Sequence, residues 1–358
     1  MTDLLYSETE DDLRAAVRSL LTDRAGTDVL LGRIESGEPY VPGLWKSLAG
    51  EIGAAGLLVP EELGGQGASH REAAVVLEEL GRAVTPAPYL TSSVVATETL
   101  LALDTASAPV AELLAALADG RTVAVLALPL STGPGTEPSP AGTVAGVADA
   151  VAADVFLVPR SDGLHAVTAA EATVAPQTPL DLTRPLAAVT TAAASGIRLA
   201  DAGATRAAVE RGLLAGAGLL ASEQLGLAEW CLEETVRHTR GRFQFNRPVG
   251  SFQALKHRMA QLWLEIVNAR AAARAAADAL ATGSPDAPLT VAVAQAYCAK
   301  VAVHAAEECV QLHGGIGMTW EHPAHLALKR AKSDQIALGS VGRHQDAIAA
   351  LVGLPAPA

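Results

Sequence analysis

The sequence predicts a mostly α chain of the α+β class. A helical N-terminal domain spans residues 1–119, a small β domain 120–200, and a C-terminal four-helix bundle 201–358. Three observations predict it. Apolar residues recur at three- and four-residue spacing in the first and last thirds, the spacing of one helix face. The middle breaks into short β-rich runs punctuated by Pro and Gly. Alanine is abundant, glycine numbers 32, and aromatic residues supply 3% of the chain, a composition that suits helices whose axes approach closely.

In order along the chain, Leu13, Val17, Leu20 and Leu21 mark the first helix. Trp45, Leu48, Ile52 and Leu57 repeat less regularly, and Pro60 through Gly67 form a glycine-rich turn. An amphipathic helix follows from His70 to Arg82, Pro86 and Pro88 end it, and another begins near Thr91. Strands are expected at Thr122–Leu128, Val155–Val158, Leu164–Val167 and Ala187–Thr190, with a loop at 131–142. Four long helices then occupy Thr205–Arg240, Phe252–Ala281, Pro288–Gln311 and His322–Leu351. Inside the first of these, Gly212 and Gly216 are four residues apart in an apolar run that ends at Ala221, too short for a membrane span and read as close packing of two helices.

The charge balance of 26 Lys plus Arg against 39 Asp plus Glu, net −13, opposes a nucleic-acid partner. Three cysteines, Cys231, Cys298 and Cys309, form no Cys-x-x-Cys pair and suit inert core positions in a reducing cytoplasm. The start, Met1 to Leu5, lacks the basic and apolar regions of a secretory signal, so neither export nor membrane insertion is expected. His322 and His325 have i, i+3 spacing, but no third ligand accompanies them in sequence, so no metal is assigned.

Two segments carry chemistry. Arg242 through Gln253, RFQFNRPVGSFQ, places two arginines and several amides around a helix start, where an anion can be held. Gln311 through His322, QLHGGIGMTWEH, ends a helix on paired glycines that allow a ligand close to the backbone. Together, and in this domain order, they give a chain that resembles the acyl-CoA dehydrogenase family almost end to end. Val59 through Gly67, Leu77 through Arg82 and His325 through Ala331 add to the likeness.

The resemblance implies an FAD-dependent oxidoreductase that acts on the CH–CH bond of an acyl-CoA thioester. It implies FAD held at an intersubunit cleft. Arg242 would meet the pyrophosphate, Phe245 the flavin side and Gln253 the adenosine half, while Gln311, Leu312, His313, Gly314 and Gly315 form an adenosine-diphosphate loop supplied across a dimer. Asn246 replaces the usual glycine of that turn and tolerates a left-handed backbone.

The family's catalytic glutamate is missing. Its usual position is Leu338, and the alternative position used by a minority is Gly216. Neither side chain accepts a proton, although an α-proton beside a thioester needs a positioned base. Glu223 is the weak remaining candidate, with Glu210 and Asp334 behind it. A flavin-contacting loop is also reduced to the partial echo Thr136-Glu137-Pro138 in a β domain that looks short. These departures imply a homo- or heterotetramer, with an α2β2 assembly on bulky thioesters such as steroid side chains in view. This chain would be the companion of a base-bearing subunit. The alternatives are a flavin-dependent monooxygenase or oxidase on the same fold, or a non-catalytic homologue.

Overall fold

The structure, a computed structural model, describes residues 4–137 and 142–354. Pro138, the last residue of the partial loop echo, and Met1 to Asp3 lie outside them. Helices α1 (Glu8–Arg24), α2 (Thr27–Glu35), α3 (Leu44–Lys46), α4 (His70–Arg82), α5 (Thr97–Leu101) and α6 (Ala108–Ala118) make the first unit. Capping boxes open α1 at Ser7/Glu10 and α4 at Ser69/Glu72, each satisfying two otherwise orphan backbone donors. The α4 bounds match the sequence reading. The segment near Thr91 begins earlier than expected, as a π-helical stretch at Tyr89–Ala96 leading into α5.

Seven strands follow: β1 (Ala124–Leu126), β2 (Thr143–Ala148), β3 (Val155–Arg160), β4 (Gly163–Thr168), β5 (Ala172–Gln177), β6 (Leu186–Thr191) and β7 (Ile197–Asp201). They form a four-stranded sheet in the order β1-β3-β4-β7 and a three-stranded sheet in the order β2-β6-β5. Val125, Phe156, Val158, Val147 and Val189 fill the space between the two sheets. Three of these strands, β2, β5 and β7, were not expected from sequence. β5 and β7 are sheet edges with mostly exposed or half-buried residues, and β2 is interrupted by Gly146 at positive φ beside a register shift. None presents the apolar alternation that marks a strand.

The remainder is α7 (Ala202–Gly241), a hairpin of β8 (Phe243–Gln244) and β9 (Arg247–Pro248), α8 (Gln253–Ala281), α9 (Ala287–His313), α10 (Ala324–Asp334) and α11 (Val341–Leu351). The expected single helix over His322–Leu351 is corrected to two. The chain turns at Leu338 (φ 52°) and Gly339 (φ 104°), and Ser340 caps α11 through the Arg343 N–H. The window of greatest apolarity, within Ala287–Met318, has mean hydropathy 1.3 and is long enough to cross a membrane, yet 67% of it is buried inside the protein. It is a bundle core helix, packed on α7 and α8.

The 40-residue helix α7 is the centre of the molecule. Its glycines let neighbouring backbones touch. A Cβ on Gly212 would overlap the side chain of Thr99 and the Val95 carbonyl, so the Gly212/Gly216 pair is a close-packing seam against the 89–101 segment.

At the α1, α4 and α8 junction, Tyr6 lies between the guanidinium groups of Arg14 and Arg274, 4.4 and 4.2 Å from its ring, and its Oη donates to Glu78 at 2.8 Å. Burial pushes the Glu78 carboxyl up to about 7, with Arg14 opposing the shift and Glu229 adding to it. The folded protein therefore binds this proton more tightly than the unfolded chain. The resulting stability is present at low pH and falls as pH rises toward 7, by about 3 kcal/mol for a shift of this size. Glu78→Gln is expected to remove that slope between pH 4.5 and 7, checked by urea unfolding of both proteins across the range.

Candidate active site

The two positions at which the family resemblance places a base come together in space. Leu338 is buried in the turn between α10 and α11, and Gly216 faces it from α7. A Cβ on Gly216 would stand 3.0 Å from Leu338 Cδ1 and 2.5 Å from Val95 Cγ2. The cleft beside Leu338 is lined by Leu90, Thr91, Val95, Leu128, Leu213 and Leu338, and its free volume is about 40 Å³. Ordinary small-molecule pockets hold roughly 300–1,000 Å³. Among the described residues no carboxylate lines it.

The strand-following loop explains the small volume. Leu130 accepts the Leu338 N–H at 2.7 Å, so that amide is not free to meet a ligand. Gly133 lies against Gly339, close enough that a Cβ there would be 2.8 Å from the Gly339 Cα. Glu210 accepts the Gly135 N–H at 2.7 Å and so anchors this loop to α7. Thr136 and Glu137, the partial echo seen in sequence, lie beyond the cleft. Thr136 Oγ1 donates to Gly133, and Glu137 pairs with Arg206 at the surface.

Glu223 and Asp334 belong to a buried ionic network behind the cleft. Arg330 donates to Asp181 at 2.5 Å, to Glu223 at 2.6 Å, and to the Thr183 carbonyl and hydroxyl at 2.8 and 2.6 Å. Arg184 donates to Glu223 and, at 3.3 Å, to Asp334. Thr91 and Tyr40 donate to Asp149 at 2.7 and 2.6 Å. Burial alone would raise the Glu223 carboxyl, but Arg184 and Arg330 overcome it and hold the group below its usual range. A carboxylate neutralised by two guanidinium groups is a poor proton acceptor, which corrects the weak assignment of Glu223 as base. Asp334 is pushed well up, by burial first and then by the charge of Glu223. It does not reach the cleft lining.

Sequence reasoning found Glu223 and Asp334 but missed Arg184, Arg330, Asp181 and Asp149. The available signal was Asp181-Leu-Thr-Arg184, two charges inside a segment otherwise bound for burial.

The predicted adenosine-side residues form an outward face. Phe245 and Asn246 both take positive φ, 51° and 58°, the two-residue turn that matches the twist of a hairpin. This turn holds Phe245 87% exposed, edge-on to Phe252, whose ring Arg247 covers at 3.9 Å. Arg242 and Gln253 are exposed beside it. At the end of α9, Gln311, Gly314 and Gly315 are exposed, and a Cβ on either glycine would meet nothing within 4 Å. Leu312 is half-buried. His313 departs from the expectation: its side chain is buried beneath the loop, with Nδ1 donating to the Cys309 carbonyl at 2.6 Å. Only its backbone belongs to the outer face. Cys231, Cys298 and Cys309 are buried free thiols.

These residues fit the adenosine half of FAD, since the glycines leave open backbone and the arginine and aromatic face outward. The cleft at Leu338, with a free volume of about 40 Å³, is too small for a flavin ring.

Comparison with known proteins agrees with this architecture. The acyl-CoA dehydrogenase N-terminal domain profile matches residues 7–121, and the acyl-CoA dehydrogenase C-terminal domain profile matches residues 204–352. Acyl-CoA dehydrogenase IpdE2 of Mycobacterium tuberculosis is 37% identical over 324 residues, which cover 90% of this chain and 91% of that protein. Its namesake in Mycolicibacterium smegmatis is 36% identical, over 93% and 95% of the two chains. A Tcur3481-Tcur3483 steroid ACAD variant superposes with a TM-score of 0.85 at 26% identity, covering 97% of this chain and 98% of that one. The ChsE4-ChsE5 complex from Mycobacterium tuberculosis gives 0.85 at 23% identity, with 99% and 100% covered. With both domain profiles matched and relatives aligned along nearly the whole length, the chain belongs to the acyl-CoA dehydrogenase family, oxidoreductases that act on CH–CH bonds.

Proposed function

We propose that this chain is the base-lacking subunit of a heteromeric acyl-CoA dehydrogenase, assembled as α2β2 with a base-bearing paralogue on a bulky, steroid-type acyl-CoA thioester. The observation that carries the reading is the contact of Leu338 with Gly216 beside an apolar cleft of about 40 Å³ that Leu338 lines. α,β-Dehydrogenation needs a carboxylate at the α-proton and donors where charge develops on the thioester oxygen. Among the described residues no carboxylate lines this cleft, and the Leu338 N–H is spent on Leu130.

Its outer face keeps a role. Arg242, Gln253 and the Gln311–Gly315 loop would hold the adenosine and pyrophosphate of an FAD whose ring lies in the partner subunit, with Phe245 toward its flavin side, and there FAD supplies the hydride acceptor. Arg242 brings charge to the pyrophosphate, and the open space at Gly314 and Gly315 lets a ligand come close to the backbone. The names of the similar steroid ACAD and of the ChsE4-ChsE5 complex support the substrate class and the two-component assembly.

The test is purification of the chain alone and together with its paralogue. Alone, it is expected to reduce no artificial electron acceptor with any acyl-CoA. Co-expressed, it is expected to elute as a heterotetramer with flavin, active on steroid side-chain thioesters, and Arg242→Ala is expected to lower the flavin content of that complex. Turnover by the isolated chain would overturn the reading.

A further inference from the structure

Three segments far apart in sequence converge beneath the glycine loop. Glu234 stands on α7, His313 closes α9, and His322 follows the turn at 314–318. Their candidate ligand atoms all lie within 4.8 Å of one another. Both His313 Nε2 and His322 Nε2 are 3.6 Å from Glu234 Oε1. Ligand atoms bonded at about 2.0–2.1 Å to a tetrahedral zinc ion stand roughly 3.3 Å apart, so each imidazole needs to close on Glu234 by only a few tenths of an ångström.

The protonation pattern of His313 is a second, independent observation. Its side chain is fully buried, and a carbonyl can only accept, so the 2.6 Å contact with Cys309 O places the ring proton on Nδ1. In the neutral ring Nε2 then carries a bare lone pair. Among the described residues it has no hydrogen-bond partner, and it faces a carboxylate oxygen. Two acceptors opposed in a buried place are unfavourable unless a proton or a metal cation lies between them. Anchoring the remote ring nitrogen on a backbone carbonyl is also the common support of a metal-bound histidine. The ring is further fixed between those of His238 and His322, at centroid distances of 4.2 and 4.3 Å.

We propose that Glu234, His313 and His322 form a divalent transition-metal site that staples the glycine loop to α7. Two imidazoles and one carboxylate suit zinc, cobalt or nickel rather than magnesium or calcium. Two features set its cost. His322 Nδ1 accepts the Ala324 N–H at 3.2 Å, so ligation through Nε2 moves that ring proton and gives up this bond. Arg237, largely exposed, donates to both oxygens of Glu234 and competes with the metal. The pairing differs from the i, i+3 pair seen in sequence, because His325 turns its Nε2 to the Trp320 carbonyl, 3.2 Å away.

Chelator-treated protein titrated with Co²⁺ at neutral pH is expected to develop visible d–d bands that saturate at about one ion per chain and are displaced by Zn²⁺. Glu234→Gln and His322→Ala are expected to lose the bands while keeping the native circular dichroism. His325→Ala is expected to keep them, and Arg237→Ala to tighten binding several-fold. No saturable bands, bands that survive both Glu234→Gln and His322→Ala, or their loss in His325→Ala would overturn the site. None of these outcomes depends on flavin or on a partner subunit.

Discussion

Arg330→Leu is expected to cost about 3–5 kcal/mol of stability, the usual penalty for stranding the partners of a buried ion pair. Arg330 is 3% exposed and fills four contacts with one planar group, to Asp181, Glu223 and both oxygens of Thr183. Removing it leaves Asp181 without its guanidinium and Glu223 with Arg184 alone. Arg330→Lys is not expected to rescue, since one ammonium cannot reproduce the fork that spans residues of the β domain and α7. Chemical denaturation should show a lower midpoint for both variants. A loss below 1 kcal/mol for Arg330→Leu would mean that the network does not bind these units together, and would reopen Glu223 as a group able to change partners.

The second large effect is expected at Gly226. A Cβ there would overlap the Glu78 carbonyl oxygen on α4, and one on Gly81 of α4 would overlap the Glu223 carbonyl on α7. These two glycines let the helices touch backbone to backbone. Gly226→Ala must push α4 away from α7 and is expected to destabilise by on the order of 3 kcal/mol, at the upper end of overpacking costs. Gly342→Ala is the control. Nothing lies within 4 Å of its added Cβ and it sits in the first turn of α11, so no loss of stability is expected. Thermal unfolding of the three proteins checks this, and equal melting temperatures for Gly226→Ala and the wild type would refute the close-contact argument.

The seam bears on function because α7 carries both sides of the story. Gly216 packs against Leu338, Glu223 enters the ionic network, and Glu234 faces His313. Displacing α7 would disturb all three. The helix is long and mostly buried, with Asp201 capping its start through the Ala204 N–H at 2.9 Å.

Much of this was legible in the residues. The amphipathic run from His70 to Arg82, ended by Pro86 and Pro88, gave the bounds of α4, because helical periodicity acts over three or four residues, and the capping box at Ser69 and Glu72 agrees with them. Exposed edge strands β5 and β7 were not legible, since a strand exposed along most of its length has no apolar alternation to read. The break in the last helix was hidden for another reason. Leu338 is a good helix former that takes positive φ where its N–H bonds to Leu130, and the local signal, Gly339 followed by the cap Ser340, is only two residues long.

The sequence by itself determined the order of helical, strand and helical units, the family, the glycine-rich outer loop, and the absence of a carboxylate at positions 338 and 216. Only the tertiary structure decided that these two positions touch, that the 130–135 loop closes on them, and that Glu223 is locked between Arg184 and Arg330, 39 and 107 residues away. It alone brought Glu234 to His313 and His322. The physical reason is range. Capping and periodicity are written within a few neighbouring residues, whereas which buried charges and imidazoles meet depends on the register in which α7, α9 and α10 pack.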